Sequence, residues 1–473
     1  VTGPVVIGVD LGTSAIKIVA VGRDGDVVAT ARCGYPTRRP EPEAAEQDTQ
    51  HWWEALGTAG DAIAGMVAPQ RWRAIGLSAM LPTLVELDAA GKAVGSAITW
   101  EDARAEPQAD ALRATIGDDV LYQITGQRVD GRYLAPMHAR LRGLGRTGAI
   151  VAGAKDVLFH QLTGHLLTDP STAAGSAVFD LEQGCWSAEL VAASGGFEVP
   201  EVADAATALP LVSSWRQRWG VAGDLPVVLG AADSVLGALG VGAVAHGDVG
   251  VIAGTSAVVL GISDRPVRDP ARRYLVTPLA GSGWGLEMDL LAMGSAFDAV
   301  AALFGLGGPA DLLELAGAVP VEEAPLFLPY LSPGEQGALW DPGLTGTLQG
   351  LRLGMGVGHI GRGLLTGIVV ELRRCIDVLA MTTGRSGPVR LGGGSAVSPL
   401  MWQDIADATG REVWVDPVVT DHSTVGAALF AAAATGDPIV RDDAPRIIEP
   451  RAERYAWWTD CLVRHDDARL GRR

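Results

Sequence analysis

Val5-Val6-Ile7-Gly8-Val9-Asp10-Leu11-Gly12-Thr13-Ser14 stands near the start of the chain, with Ile16 to Val21 close behind. β-Branched runs on either side of a glycine turn read as two strands of a hairpin. Asp24-Gly25-Asp26 turns the chain again into Val27 to Ala31. The expected opening is an antiparallel meander whose first turn, Asp10 to Ser14, is polar. Successive turn N–H groups can cradle a phosphate, and glycine allows its close approach. The hydroxyls of Thr13 and Ser14 add donors. Asp10 would repel a bare phosphate, but it makes sense beside a Mg²⁺ ion bridging carboxylate and phosphates. An ordinary hairpin turn also takes Asp, Gly, Thr and Ser readily.

The same pattern recurs about 240 residues on. Val249 to Ile252 and Ala257 to Ile262 flank Gly254-Thr255-Ser256. Two copies at this distance indicate duplicated domains rather than a short-period solenoid. Between and beyond them, Asp48 to Val67, Lys155 to Leu162, Gly363 to Thr382, Pro399 to Thr409 and Val425 to Thr435 read as helices. Ala74 to Leu77, Leu84 to Leu87 and Val389 to Leu391 read as strands. The expected division is 1–244, 245–437 and a polar, peripheral tail from 438 to 473.

Two further stretches carry chemistry. Asp233 sits in Gly230-Ala231-Ala232-Asp233-Ser234 with apolar residues on both sides. Asp is rarely buried without a partner. It is either a helix N-cap or a carboxylate that accepts a proton from a substrate hydroxyl. Gly392-Gly393-Gly394-Ser395 follows a strand and precedes a helix, leaving room for a flat ring against the backbone. Gly356-Val357-Gly358-His359-Ile360-Gly361 fits the dinucleotide pattern. The acidic residue about 20 positions on, Asp377, lies inside an expected helix rather than at a strand end, so the context fails. No G-x-x-x-x-G-K-[ST] loop is present.

The 473 residues carry a net charge of −18 and are 48% apolar. This argues against nucleic acid as a partner. Anionic ligands must be held locally, by backbone N–H groups and a metal. Cys33, Cys185, Cys375 and Cys461 are far apart and form no C-x-x-C, so reduced thiols and a cytoplasmic location are expected. From the strand-like opening, no secretory peptide is expected. The weakly charged stretch from Leu225 to Ala245 contains Pro226 and Asp233 and reads as a buried strand–turn–helix, not a membrane span. The chain has no asparagine at all, so any site needing an amide must use Gln or the backbone.

In this order, the segments resemble the FGGY carbohydrate kinases of the actin-like ATPase superfamily. The resemblance covers Gly8 to Ser14 with Lys17, Trp100-Glu101-Asp102-Ala103-Arg104, Lys155-Asp156, Leu162-Thr163-Gly164 and Thr168-Asp169-Pro170-Ser171. It continues through Ala174 to Ser176, Phe179-Asp180, Gly230 to Gly240, Gly254-Thr255-Ser256, Leu328 to Leu331, Gly392 to Gly394 and Val425 to Ala428. It implies an α/β fold of two RNase H-like domains, each a mixed five-stranded sheet flanked by helices, with a cleft between them. ATP phosphates would meet Gly12, Thr13, Ser14, Lys17, Gly254, Thr255 and Ser256, and adenosine would meet Gly392 to Ser395. Mg²⁺ would lie near Asp10 and Asp233, and Asp233 would be the catalytic base. The substrate would be a small sugar, with no nucleic acid or membrane partner and a homodimer as a possible assembly.

The departures concern the sugar. Met80, Leu81 and Pro82 replace a triple that reads Gln-Met-His in xylulokinases and Gln-Arg-Glu in glycerol kinases. Hydrogen bonds a site can make dominate its discrimination, so a different hydroxyl pattern or an apolar face is expected. Ser234 stands where relatives often place Asn or Gln. Trp100 and Asp102 remain as expected sugar-lining groups. The spacing is nearest the xylulokinase-like branch, with a ketopentose such as xylulose expected. Another polyol, aldonate or deoxy sugar, or an actin-like nucleotide switch, are the alternatives.

Overall fold

The computed structural model describes residues 3–146, 148–332, 336–341, 343–396, 398–416, 419–441 and 445–472. Two compact units result. The first takes 1–240, 264–285 and 421–443; the second takes 241–263, 286–420 and 444–473.

In the first unit the meander forms as its sequence demands: β1 (Val5–Leu11), β2 (Ala15–Gly22) and β3 (Val27–Gly34) pair antiparallel. β4 (Trp72–Ala79) lies parallel to β1, and β6 (Pro226–Ala232) parallel to β4. β5 (Ala208–Pro210) adds an antiparallel edge. The sheet order is β5-β6-β4-β1-β2-β3. Every residue of β1 is buried, as expected of a strand covered on both faces.

One cover is the helix Thr49–Met66. Asp48 caps it by accepting from the Gln50 N–H at 2.9 Å, and its buried Trp52, Leu56, Ala59 and Ile63 recur at helical spacing. They join Ile7, Val9, Ile16 and Leu77 in one core. Burying each large side chain contributes roughly 1.5–3 kcal/mol. The other cover is the helix His422–Ala434. Gly8 and Gly76 are paired across β1 and β4 and form its seat. A Cβ on Gly8 would lie 1.9 Å from the Thr424 carbonyl oxygen, and one on Gly76 would lie 2.0 Å from that of Ala427. This close seat draws residues 421–443 into the first unit, although chain order suggested the second domain.

The second unit repeats the plan. β7 (Val249–Ala253) and β8 (Ala257–Ser263) form the hairpin. β9 (Trp284–Leu290) follows β8 in the sheet. β10 (Val389–Gly392) is parallel to β7, β11 (Val413–Val415) parallel to β10, and β12 (Arg446–Ile448) antiparallel to β11. These six run in the order β9-β8-β7-β10-β11-β12 within a seven-stranded sheet. The two sheets thus have six and seven strands rather than the five each expected, because edge strands widen them, but they share one core order: β3-β2-β1-β4-β6 in the first and β9-β8-β7-β10-β11 in the second. The tail, expected to pack on the domains, adds β12 to the sheet, and its helix Ala452–Arg469 has Trp458, Cys461 and His465 buried. No described helix is long and apolar enough to cross a membrane. No disulfide joins the four cysteines.

Candidate active site

In the first unit, three parallel strands end side by side. Leu11 is level with Ala79, and Ala79 with Ala232. The Gly12 turn, the Met80–Pro82 segment and Asp233 therefore follow from neighbouring strand ends. In open α/β sheets ligands bind outside the carboxyl ends of the strands.

Asp10 is buried at the end of β1, and its Oδ1 accepts from the Ser78 hydroxyl at 2.8 Å. Burial pushes its carboxyl above the ordinary range, and Asp421 adds to this; Lys17 and the Ser78 hydroxyl oppose it. Lys17 stands directly across β2 from Asp10 and pairs with Asp421 at 2.7 Å. Burial alone would lower the Lys17 ammonium, but Asp10 and Asp421 outweigh it and hold it above the usual lysine value.

The turn itself has its carbonyls occupied. Gly12 O accepts from the Tyr35 hydroxyl, Thr13 O from Gln47 Nε2 at 2.7 Å, and Ser14 O from the Tyr35 N–H at 3.1 Å. Thr13 Oγ1 accepts from Trp100 Nε1 at 3.0 Å. Acceptor oxygens that would repel an anion are thus engaged by protein donors. The second unit does likewise: Gly254 O accepts from the Gly294 N–H, and Thr255 O from the N–H groups of Met293 and Ser295, each at 3.1 Å. The two turns are not identical. Gly12 N donates to Ala15 O, whereas Gly254 N donates to Ser256 O, so the second turn is one residue tighter.

β7 and β10 are parallel neighbours, with Ile252 level with Gly392. The Gly254 turn and the Gly392–Ser395 loop therefore leave the same end of the sheet, and Ser395 N donates to Ala253 O at 3.0 Å. The glycines there divide their work. Gly393, at φ +100°, brings its backbone so near β7 that a Cβ would lie 2.3 Å from Ala253 O; at Gly394 a Cβ meets nothing within 4 Å. The close approach at Gly393 is to the chain's own strand, and Gly394 is where open space remains.

Asp233 is the first residue of the helix Asp233–Gly240. It is half-buried; its Oδ1 accepts from the Ser234 N–H at 2.9 Å, and its carbonyl accepts from the Ser423 hydroxyl at 2.9 Å. Asp233 stands within the first turn of this helix, directly after the end of β6. Ser234 itself is buried.

The sugar-lining expectations divide. Leu81 and Pro82 are partly exposed and Trp100 borders the Gly12 turn through Thr13. Met80 is 2% exposed and lies in the main core, its N–H bound to Leu11 O at 2.9 Å, so its side chain supports the segment from behind. Asp102 is also 2% exposed, and its carboxylate is occupied. It accepts from the Ala45 N–H at 2.9 Å and forms a 2.6 Å ion pair with Arg104, which also binds Glu41 and Glu46. Arg104 is local, but the spacing of Trp100 and Asp102 could not show the Ala45 N–H, which comes from a segment 57 positions earlier.

Sequence reasoning assigned no role to Tyr35, Gln47, Ser78 or Asp421, which position the first turn. It also passed over a buried cluster of Lys155, Asp156, Asp169 and Ser171, quoted only for its resemblance. Burial pushes the Asp156 carboxyl up to about 6; Lys155, the Gly153 N–H and Thr168 oppose this. The folded value lies above the unfolded one, so this carboxyl favours folding at low pH and loses that contribution as pH rises through about 6. Asp156→Asn removes the effect. Relative to the parent, the variant's stability should fall by about 1.4 kcal/mol between pH 7.5 and pH 5. Denaturant melts at the two pH values check it, and a pH-independent difference refutes it.

Comparison with known proteins agrees with this geometry. Residues 5–240 match the model of the FGGY family of carbohydrate kinases, N-terminal domain, and residues 249–435 match that of its C-terminal domain. The chain is 30% identical over 477 residues to the xylulose kinase of Escherichia coli strain K12, covering 95% of each. It is 27% identical to the gluconokinase of Bacillus subtilis strain 168, covering 91% of this chain and 87% of that one. The crystal structure of xylulose kinase from Rhodospirillum rubrum superposes with a TM-score of 0.88 at 26% identity, covering 99% and 98%. With both family domains matched in order, and with strand order repeated in each unit, the chain belongs to the FGGY carbohydrate kinases and is a phosphotransferase acting on a small sugar.

Proposed function

We propose that the chain transfers the γ-phosphate of ATP to a hydroxyl of a ketopentose such as xylulose, with Asp233 as the general base. The observation that carries this reading is the row of strand ends, where the Gly12 turn and Asp233 follow strands separated only by β4. Phosphoryl transfer needs positioning and charge neutralisation more than covalent chemistry. A carboxylate can take the acceptor proton as the attacking oxygen becomes acidic. Gly12, Thr13, Ser14 and Lys17, with Gly254, Thr255 and Ser256, serve the phosphates; Gly392 to Ser395 serve adenosine.

The residues fit a magnesium ion. Asp10 commits one carboxylate oxygen to Ser78, and the other faces the Gly12 turn, 3.3 Å from where a Cβ on Gly12 would stand. Mg²⁺ usually takes one or two protein carboxylates and completes its shell with phosphates and water. Asp10, with Asp233, would hold it, and it would supply charge neutralisation at the phosphates. No group of three or more His, Cys, Asp or Glu able to hold a metal by itself occurs among the described residues.

Met80, Leu81 and Pro82 stand where the family resemblance implies a more polar triple, and relatives act on different acceptors by name, so the acceptor is the open variable. The test is an ATP-consumption screen over ketopentoses, polyols, aldonates and deoxy sugars, with and without excess EDTA. Xylulose should give the highest kcat/KM, and chelation should abolish turnover. A higher value for another class overturns the ketopentose assignment, and no acceptor-dependent ATP use overturns the kinase reading. Full turnover in EDTA removes Asp10 from its role.

A further inference from the structure

The chain just ahead of Asp233 is not placed by the sheet alone. Register between β6 and β4 shifts between Val228 and Ala231, and Gly230 sits at φ +71° inside that irregularity. A bulged segment is disconnected from the regular ladder, so other contacts must set its geometry. Here a single buried network grips both ends of it. Lys155 Nζ donates to Leu229 O at 3.4 Å, and pairs with Asp169 Oδ1 at 3.0 Å. Asp169 accepts the Ser171 hydroxyl through Oδ2, and the Thr172 hydroxyl at 2.6 Å through Oδ1. Ser171 Oγ in turn accepts from the Ala232 N–H at 2.9 Å. Ala232 is the residue before Asp233.

Lys155, Asp169 and Ser171 are each 1% exposed. A fully buried ion pair is a poor way to gain stability, because desolvation consumes most of the Coulomb attraction. Apolar side chains of similar volume would hold this interior as well. What apolar side chains cannot do is accept from Ala232 N–H and donate to Leu229 O at fixed distances.

We propose that Ser171, oriented by Asp169 and Lys155, is a positioning residue that fixes the Asp233 carboxylate by holding the Ala232 N–H. This rests on the reading of Asp233 as base. Misplacement of a reacting group by about 1 Å costs around 10²-fold. Loss of one hydrogen bond in a frame that keeps its fold lies at or below that.

The experiment is a double-mutant cycle of Ser171→Ala and Asp233→Ala in the full chain, with ATP and xylulose or the acceptor that ranks first in the screen. Ser171→Ala should lower kcat by about 10–100-fold with both KM values within about two-fold of the parent. Ser171→Thr, which restores the hydroxyl, should recover kcat to within about three-fold. In the Asp233→Ala background, Ser171→Ala should change the residual rate less than about two-fold, because its route to the chemistry is gone. A kcat for Ser171→Ala within two-fold of the parent, or the same loss in both backgrounds, overturns the proposal. If Asp233→Ala itself leaves kcat unchanged, the base assignment fails instead, and the two failures are distinct. A crystal structure of Ser171→Ala reads the geometry without any acceptor: displacement of Asp233 by about 0.5 Å or more supports the proposal, and an unmoved Asp233 overturns it.

Discussion

Asp233→Ala is expected to lower kcat by about 10²–10⁴, the range a positioned general base contributes. The affinity for ATP measured without Mg²⁺ should change little, since the phosphate turns assigned to it are built from other residues. Oδ1 of the carboxylate receives the N–H of the next residue, at the first position of the helix Asp233–Gly240. Losing that contact should cost about 1 kcal/mol, as for other helix-start residues, so the protein should remain folded at assay temperature. Single-turnover rates and an ATP-binding isotherm measure the two quantities separately. A normal rate with the best acceptor would show that the proton leaves by another route.

Gly230→Ala should be the most damaging single-atom-scale change in the first unit. Gly230 has φ +71°, and a Cβ there would stand 1.8 Å from the Leu77 carbonyl oxygen and 2.8 Å from its carbon. The left-handed conformation alone costs alanine about 1–2 kcal/mol. The overlap is with backbone of β4, which no rotamer change relieves, so strands β4 and β6 must separate or the bulge must refold. A total loss of about 4 kcal/mol or more is expected, with low soluble yield and a depressed Tm. Gly394→Ala is the matched control. Its Cβ meets nothing within 4 Å, so its stability should stay within about 0.5 kcal/mol of the parent. Equal melting temperatures for the two variants would refute the argument. The contrast separates two uses of glycine: at Gly230 the chain needs it to fold, and at Gly394 the space it leaves is available to a ligand.

Local sequence was informative wherever a short segment determines its own shape. β-Branched runs broken by Gly-Thr-Ser declared both hairpins, because strand propensity and turn chemistry act over fewer than ten residues. The recurrence of that unit declared the duplication, and the two sheets do share one core order. Asp10, Asp233 and the glycine loop stood out because carboxylates and consecutive glycines are costly where apolar strands surround them.

Partners distant in sequence were another matter, and they decide what a side chain does. Asp102 looked available, yet Arg104 and the Ala45 N–H, 57 positions away, occupy it. Met80 looked like a pocket residue, yet its side chain is buried in the main core. Residues 421–443 follow the second domain in the chain, yet the Gly8–Gly76 seat admits their helix to the first unit. Lys155 and Ser171 reach the peptides before Asp233 across more than 60 positions. The chain's own letters determine torsional preference and which faces are apolar. Which strand lies beside which, and therefore which donor meets which acceptor, is settled only when distant segments pack, since hydrogen bonds depend on angstrom distances that no local pattern encodes.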